Sequence, residues 1–338
     1  MRAAVISFTA KGDELNKRIA SFLKDFETEQ CGSTFNKRGV SLGEWTRDKF
    51  ERCRLVIFIG AAGIAVRACA PYIRSKETDP AVIAADEHGR YVIPLLSGHI
   101  GGANRISREL AAYLGAEPVI TTATDINGVW AADEWAAENG YRIFDKDGIK
   151  YISAALLRGE KAGLASSFEI RGSLPEGIVL SKCTECGILI SDRPAQPFRH
   201  TLCLMPKRLI IGVGSRAGAD ENALIELYER LRAEHDICAA PAAVATIDIK
   251  RNEPSVRRLA EHMGTEICTF TAAELSAAEG SFTASEFVRA VTGTDNVCER
   301  SCAAYGALCG RKTEIIVRKT AGSGVTAAAA LMDWSVDF

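Results

Sequence analysis

The sequence predicts an α/β protein made of two doubly wound, mostly parallel α/β domains joined by a smaller middle module. Apolar runs of strand length alternate with amphipathic stretches of helix length, which is the order found in βαβ units. Glycine-rich turns follow several apolar runs, as expected where a strand passes into a helix. A chain of 338 residues is also too long for one compact core.

The N-terminal domain is expected to span residues 1–139. Its clearest strand is the apolar run at 55–60, and its clearest helix carries Ile106, Leu110 and Leu114 on one face. Strands at 81–85 and 91–95 are predicted to pair around a turn at 86–89. The other expected elements are strands at 3–8 and 118–120, helices at 13–23 and 101–114, and a helix that follows the turn at 60–63 and runs through Ala70.

Residues 140–206 have a weaker pattern and are interpreted as a middle module or linker, with short strands at 177–180, 187–190 and 201–204. The pattern returns in the C-terminal domain, predicted at 207–338. The alanine-rich run at 325–331 is interpreted as the interior of a helix. The other expected elements there are strands at 208–214, 244–249, 266–270 and 314–317, a helix bearing Leu224, Leu227, Tyr228 and Leu231, and helices at 254–263 and 284–291.

Composition excludes several classes of protein. With 41 Lys and Arg against 43 Asp and Glu, the net charge of −2 argues against a dedicated binder of nucleic acid or anionic membrane. No run approaches the roughly 20 apolar residues of a membrane span, and Met1 leads directly into a strand-like segment, so we expect a cytoplasmic protein. The 11 cysteines are scattered, and the one CxxC, at Cys183 and Cys186, lacks the second pair of a zinc ribbon.

The first loop with candidate chemistry, 60–67, joins a predicted strand to a predicted helix. Gly63 would let a ligand approach the backbone, and Arg67 would add positive charge beside the amides at the helix start. A turn that needs glycine only for its own backbone is the competing interpretation.

The second loop, 212–218, has the pattern G-x-G-x3-G, which is one residue longer than the dinucleotide-binding fingerprint. This spacing disfavours a nicotinamide oxidoreductase. We interpret Gly212 and Gly214 as an anion cradle, with Arg216 as a candidate carboxylate clamp.

The third loop, 94–105, has the highest density of reactive groups: a hydroxyl, an imidazole, three glycines, an amide and a guanidinium. His99 lies between glycines at the end of a strand and is a candidate general acid or base. Ser97 lacks the G-x-S-x-G pattern of a nucleophile elbow. The polar cluster at 121–125 ends the next predicted strand, so both loops should open on the same crevice.

Several phrases of this sequence resemble the cobalamin-biosynthesis protein CbiG, the cobalt-precorrin-5A hydrolase family. In the first half they are GIAVR at 63–67, KETDPAV at 76–82, LLSGHIGGAN at 95–104 and TTATD at 121–125. In the second half they are GVGSRAG at 212–218, ATIDIK at 245–250, EP at 253–254 and GVT at 324–326. Ser215 stands where many members carry Cys, so a thiol at that position is dispensable.

The resemblance implies a hydrolase of anaerobic cobalamin biosynthesis. Such an enzyme opens the δ-lactone of cobalt-precorrin-5A with water and releases acetaldehyde to give cobalt-precorrin-5B. The cobalt belongs to the substrate, so no cofactor and no metal site of the protein are expected. The expected partners are the tetrapyrrole and other enzymes of the pathway, with a homodimer left open.

Residue roles are hypotheses from residue type and loop position. His99 would be the base or proton shuttle, oriented by Asp125, with Ser97 as the alternative covalent nucleophile. The amides of Gly101 and Gly102 would stabilise the oxyanion. The full set of expected substrate-binding residues is Gly63, Arg67, Lys76, Gly101, Gly102, Asn104, Arg105, Thr121, Thr122, Gly212, Gly214 and Arg216. A non-catalytic tetrapyrrole carrier or assembly partner of the same pathway remains the alternative function.

Overall fold

The computed structural model describes residues 1–35, 39–75, 78–99 and 101–338. The chain divides into two compact units, Met1–Glu138 and Asn139–Phe338. Both combine helices with mostly parallel sheets, so the predicted fold class is confirmed. Within the described ranges, no helix has the length and apolarity needed to cross a bilayer.

The first unit is built on one sheet with the strand order β2-β1-β3-β4-β5-β6. Its central strands are fully buried between helices, which explains their continuous apolar runs. Its strands are β1 (Arg2–Ser7), β2 (Glu27–Cys31), β3 (Leu55–Ile59), β4 (Ala81–Ala85), β5 (Tyr91–Leu96) and β6 (Glu117–Pro118). Its helices are α1 (Ala10–Phe22), α2 (Leu42–Arg52), α3 (Ala62–Cys69), α4 (Ala103–Leu114), α5 (Ala123–Ile126) and α6 (Ala132–Glu138).

The direction of β5 decides where the third loop lies. β1 to β4 are parallel, whereas β5 runs antiparallel to β4 and parallel to β6. Leu96 at the end of β5 pairs with Val82 at the start of β4. The loop after β5 therefore lies at the edge where β1, β3 and β4 begin. The loop at 60–67, which follows β3, lies at the opposite edge.

The second unit contains a sheet in the order β10-β8-β11-β12-β13-β14, with β7 and β16 also paired to β12. Its strands are β7 (Tyr141–Asp145), β8 (Ala162–Ser166), β9 (Glu169–Arg171), β10 (Ile178–Val179), β11 (Cys186–Ile190), β12 (His200–Ser215), β13 (Ala240–Ile247), β14 (Glu266–Phe270), β15 (Thr313–Gly322), β16 (Val325–Met332) and β17 (Ser335–Asp337). Its helices are α7 (Asp147–Leu157), α8 (Ala223–Glu234), α9 (Pro254–Met263), α10 (Ala272–Ala277), α11 (Glu286–Thr292) and α12 (Cys298–Leu308).

The long strand β12 joins the middle region of the sequence to the C-terminal region. Its first half pairs with β11 and β7, and its second half pairs with β13 and β16. The two short strands predicted at 201–204 and 208–214 are therefore parts of one strand.

The predicted helix at 325–331 is wrong, because this run forms the strand β16. Ser323 and Gly324 both have positive φ angles, 49° and 80°, and make the tight turn between β15 and β16. The alanines at 327–330 are fully buried between β12 and β15. Burial in the sheet and the hairpin turn outweigh the high helix propensity of alanine.

Candidate functional site

The loop after β5 is a tightly packed turn. Ser97 has a φ of 56°, in the left-handed region that non-glycine residues rarely adopt. Its hydroxyl donates a hydrogen bond to the Asp79 carbonyl at 3.0 Å, and its carbonyl accepts from the Ala103 amide. A Cβ on Gly101 would lie 2.4 Å from the Ser97 Cβ, so only glycine fits there. These contacts give the loop one fixed shape and hold His99 at the start of α4.

His99 lies between two carboxylates. Its Nε2 atom is 3.4 Å from the Asp125 Oδ2 atom, and its Nδ1 atom is 3.4 Å from the Asp133 Oδ2 atom. The Thr124 hydroxyl lies 3.3 Å from Nε2. The loops after β5 and β6 therefore do meet, as the sequence predicts. Asp133, in the first turn of α6, is a residue that the sequence analysis missed.

Asp125 is oriented by two side chains from α4. Asn104, which is only 2% exposed, donates its amide hydrogens to Asp125 Oδ2 at 2.8 Å and to the Thr122 hydroxyl at 3.0 Å. The Arg108 guanidinium donates to the other oxygen of Asp125. Asn104, which was predicted as a substrate-binding residue, thus holds the carboxylate that faces His99. Thr122, which was predicted likewise, accepts the second hydrogen bond of the Asn104 amide.

Two adjacent acids in α6 have opposite environments. Burial raises the pKa of Asp133, but the contact with His99 and the backbone amides of Asp133 and Glu134 together outweigh that effect, so the pKa is lowered. Burial also raises the pKa of Glu134, and there it prevails over the opposing charges of His99 and Arg108. A pair of neighbouring acids inside the apolar stretch 129–137 is the sequence signal that could have revealed them.

A cavity of about 540 Å³ opens beside this cluster, at the edge where β1 and β3 begin. Its lining includes the polar or turn residues His99, Gly101, Gly102, Arg105, Glu134 and Glu138. Its lining also includes the apolar residues Met1, Phe26, Leu55 and Ile106. The cavity therefore combines apolar surface with a few polar groups, as binding sites for small molecules do.

Comparison with known proteins identifies the family. Family models for the cobalamin synthesis G N-terminal region, the cobalamin biosynthesis central region and the cobalamin synthesis G C-terminus match residues 44–125, 130–206 and 209–330. A protein of Salmonella typhimurium named cobalt-precorrin-5A hydrolase is 36% identical over 313 residues, which cover 87% of this chain and 89% of that protein. The chain belongs to the cobalamin synthesis G family.

Two further relatives extend the comparison. A cobalt-precorrin-5A hydrolase of Priestia megaterium is 29% identical over 363 residues, covering 98% of this chain and 95% of that protein. Protein CobE of a Sinorhizobium species is 34% identical over 125 residues, covering 36% of this chain and 79% of CobE. The resemblance that the sequence motifs indicate is confirmed over nearly the whole chain.

Not all of the predicted binding residues of this family member lie around the cavity. Gly63 and Arg67 are at the opposite edge of the sheet, where the exposed Arg67 guanidinium donates to the Gly63 carbonyl at 3.4 Å. Lys76 lies outside the described residues. Arg105 does line the cavity and makes ion pairs with Glu109 at 2.8 Å and Glu138 at 3.3 Å.

The glycines before α4 differ in what their amides do. The Gly102 amide donates to the His99 carbonyl at 2.8 Å, so it is already used within the turn. Gly101 lines the cavity next to His99 and is the remaining candidate for an oxyanion donor. Thr121 is exposed and lies two residues before α5, the helix that contains Asp125.

The predicted anion cradle in the second unit has a packing explanation. A Cβ on Gly212 would lie 1.8 Å from the Cys298 carbonyl oxygen, and one on Gly214 would lie 2.7 Å from the Thr326 hydroxyl. Both glycines therefore permit close approach of β12 to its neighbours. The Arg216 amide donates to the Gly324 carbonyl at 3.0 Å. Substrate binding by these residues stays a prediction.

One group of side chains could also hold a cation. His99, Asp125 and Glu134 each offer a ligand atom, and these atoms lie within 4.8 Å of one another. Arg108 contacts Asp125 and lies 3.6 Å from Glu134, so it already supplies positive charge there. The expectation that the protein itself needs no metal or cofactor stays a prediction.

Proposed function

We propose that this protein is a cobalt-precorrin-5A hydrolase. It opens the δ-lactone of the cobalt-containing corrin precursor with water and releases acetaldehyde, giving cobalt-precorrin-5B in anaerobic cobalamin biosynthesis. The observation that supports this most is His99, held between two carboxylates at the wall of a cavity in the N-terminal unit. The names of the relatives agree with this assignment.

His99 is the base that activates water. Asp133 is 97% buried and faces the Nδ1 atom, while Asp125 and the Thr124 hydroxyl face Nε2. We assign the ring hydrogen to Nδ1, toward the more deeply buried carboxylate, so that Nε2 is the nitrogen that accepts a proton. Asp133 thereby takes the orienting role that the sequence analysis gave to Asp125. Both carboxylates stabilise the positive charge that His99 gains when it accepts the proton.

The hydrolytic step needs a small number of groups. His99 takes one proton from a water molecule while the water oxygen bonds to the lactone carbonyl carbon. The negative charge that develops on the carbonyl oxygen is stabilised by the Gly101 amide. The bond from the carbonyl carbon to the ring oxygen of the lactone then breaks. Ser97 stays the alternative nucleophile, although its hydroxyl already donates to Asp79.

Arg105 binds a carboxylate of the substrate. In this structure Arg105 forms ion pairs with Glu109 and Glu138, whose side chains are 49% and 44% exposed. Ion pairs at the surface contribute little to stability. A substrate carboxylate can therefore replace them at small cost. Arg67 lies at the opposite edge of the sheet from this cavity and is expected to contribute little to binding here. Substrate contacts of Lys76 and Arg216 stay predictions.

A non-catalytic carrier or assembly partner in the same pathway is the second candidate. The similarity to protein CobE favours it, because 36% of this chain corresponds to a shorter protein. The titratable cluster around His99 favours the enzyme, since a carrier has no need for a positioned base.

The decisive experiment is to incubate the purified protein with enzymatically prepared cobalt-precorrin-5A and to measure acetaldehyde together with the mass of the product. We expect loss of the two-carbon fragment in proportion to the protein added. Tight binding of the tetrapyrrole without acetaldehyde would favour the carrier. Absence of both binding and acetaldehyde would contradict the proposed function.

A further inference from the structure

Opening a lactone requires a proton donor as well as a base. When the bond between the carbonyl carbon and the ring oxygen breaks, the leaving oxygen becomes an alkoxide that must be protonated. His99 faces the attacking water in this scheme. A second titratable group on the same cavity should therefore face the leaving oxygen.

Glu134 meets the geometric requirements for this donor. Its side chain lines the cavity together with His99 and Gly101, and it is 16% exposed. Its Oε1 atom is buried and accepts no hydrogen bond from any of the described residues, with the Arg108 Nη1 atom 3.6 Å away. A buried carboxyl oxygen without a hydrogen-bond donor disfavours the charged form, and the exposed part of the same side chain is what reaches the cavity.

The surroundings of Glu134 favour its neutral form. Burial raises its pKa, and the neighbouring carboxylates Glu138 and Asp133 raise it further, while His99 and Arg108 act in the opposite direction. Asp133, one residue earlier, has its pKa lowered by His99 against the effect of burial. Two acids whose pKa values move apart in one site can serve as donor and as charged partner.

We propose that Glu134 is the proton donor of this site, an inference that rests on the proposed hydrolase function. His99 takes a proton from water, and the resulting hydroxide oxygen bonds to the lactone carbonyl carbon. The electron pair of the breaking carbon–oxygen bond goes to the ring oxygen, which takes the proton from Glu134. The products of this step are a carboxylic acid and an alcohol, with His99 protonated and Glu134 ionised.

The same two residues then reverse their roles in the release of acetaldehyde. Glu134 takes the proton of the alcohol while the carbon–oxygen bond becomes a carbonyl and the carbon–carbon bond breaks. The electron pair of that bond goes to the macrocycle carbon, which takes the proton held by His99. Both side chains return to their starting states, and the net reaction consumes one water molecule.

The test compares the wild-type protein with Glu134→Gln in the acetaldehyde assay across a pH series. Gln keeps the shape of the side chain but cannot supply a proton. We expect kcat to fall about 100-fold with KM changed by less than threefold. The wild-type kcat should decline above the pKa of Glu134, which lies higher than that of an ordinary glutamate, and this decline should be absent in the variant.

Two further variants make the result specific. Glu138→Gln, one turn later on α6, frees Arg105 from an ion pair and should change KM without removing the alkaline decline of kcat. Glu134→Asp retains an acid on a shorter side chain, and it should have intermediate activity with the decline preserved. It serves as the test if Glu134→Gln does not fold, as judged by circular dichroism.

The possible outcomes separate this inference from the proposed function. Full activity of Glu134→Gln, or of Glu134→Asp where only that variant folds, in an assay where the wild type releases acetaldehyde would overturn the role of Glu134 alone. A wild-type protein that releases no acetaldehyde would overturn the role together with the function on which it rests. An active wild type with the expected losses would support both.

Discussion

The two edges of the sheet in the first unit bear polar clusters of different kinds. At the edge where β1 and β3 end, Asp13 accepts hydrogen bonds from the Ser7 hydroxyl at 2.6 Å, the Ser33 hydroxyl at 2.6 Å and the Ser33 amide at 2.8 Å. These bonds join the end of β1 to the segment after β2. Both oxygens of Asp13 are thus occupied by groups of the protein itself.

At the opposite edge the cluster around His99 is incompletely paired. The buried Asp133 Oδ1 and Glu134 Oε1 atoms accept no hydrogen bond from the part of the chain that the structure describes. Both clusters contain an aspartate whose pKa is lowered despite burial, by serine hydroxyls at Asp13 and by His99 at Asp133. A lowered pKa alone therefore does not distinguish a structural carboxylate from one in a reactive site. The distinguishing feature of the site at His99 is that it has carboxylate oxygens that accept no hydrogen bond from the described residues and that it lies beside a cavity.

The largest effect is expected from removing His99. His99→Ala should lower kcat about 1,000-fold while the tetrapyrrole still binds, because a positioned base contributes on the order of 100-fold to 10,000-fold. The measurement is acetaldehyde release, with binding followed by the absorbance of the tetrapyrrole. His88→Ala is the matched control, since His88 lies in the exposed turn between β4 and β5. Undiminished activity of His99→Ala would remove the proposed base.

A smaller loss is expected at Asp133, which acts through His99. In Asp133→Asn the amide donates to Nδ1 and favours the tautomer with the hydrogen on Nε2, which cannot accept a proton from water. We expect kcat to fall about 100-fold with little change in KM. Nitrogen NMR of the His99 ring should show the change of tautomer.

Asp125→Asn is the comparison that separates the two carboxylates. Asp133 is intact in that variant, so the hydrogen should remain on Nδ1 and the loss of kcat should be smaller. Retention of the wild-type tautomer in Asp133→Asn would mean that Asp133 does not orient His99.

The arginines at the two edges of the first unit's sheet should contribute unequally to substrate binding. Arg105 lines the cavity, whereas Arg67 lies at the opposite edge of the sheet. We expect Arg105→Ala to raise KM about fivefold to tenfold, which corresponds to roughly 1 to 1.4 kcal/mol of binding free energy. Arg67→Ala should change KM less than twofold. An equal rise in both variants would show that a carboxylate of the substrate also binds near α3.

Apolar periodicity correctly predicted the helices and strands whose apolar residues are the ones that the fold buries. The buried run of β3 and the amphipathic faces of α4 and α9 are examples, because burial on one face or both leaves a clear periodicity. β16 was mistaken for a helix, since the pairing of its alanines with β12 is set by residues more than 100 positions earlier in the chain. The antiparallel direction of β5 relative to β4 places the loop at 60–67 away from His99.

The sequence predicted only those residues of the site that lie in segments with recognisable motifs. Placement of His99 and Asp125 at the ends of consecutive strands brought them together, because β5 and β6 are parallel neighbours. Asp133 and Glu134 follow the last strand of this sheet in a short helix, and no spacing in the sequence relates them to His99. Their role depends on burial and on a contact across 34 residues, both of which appear only in the folded chain.

The smallest effect on activity is expected at the cluster of Asp13, Ser7 and Ser33, where both carboxylate oxygens already accept hydrogen bonds. The pKa of Asp13 is lowered, since its hydrogen bonds from Ser33 and Ser7 outweigh burial. Its carboxylate therefore contributes stability above its unfolded pKa, and this contribution is lost as the pH falls through the folded pKa. Asp13→Asn should lower the free energy of unfolding at pH 7 by about 1 to 3 kcal/mol while kcat of the folded protein changes less than twofold. Thermal unfolding at pH 7 and below pH 4 measures this, with the exposed Asp25→Asn as control. A large loss of kcat without loss of stability would place a reactive group at this edge as well.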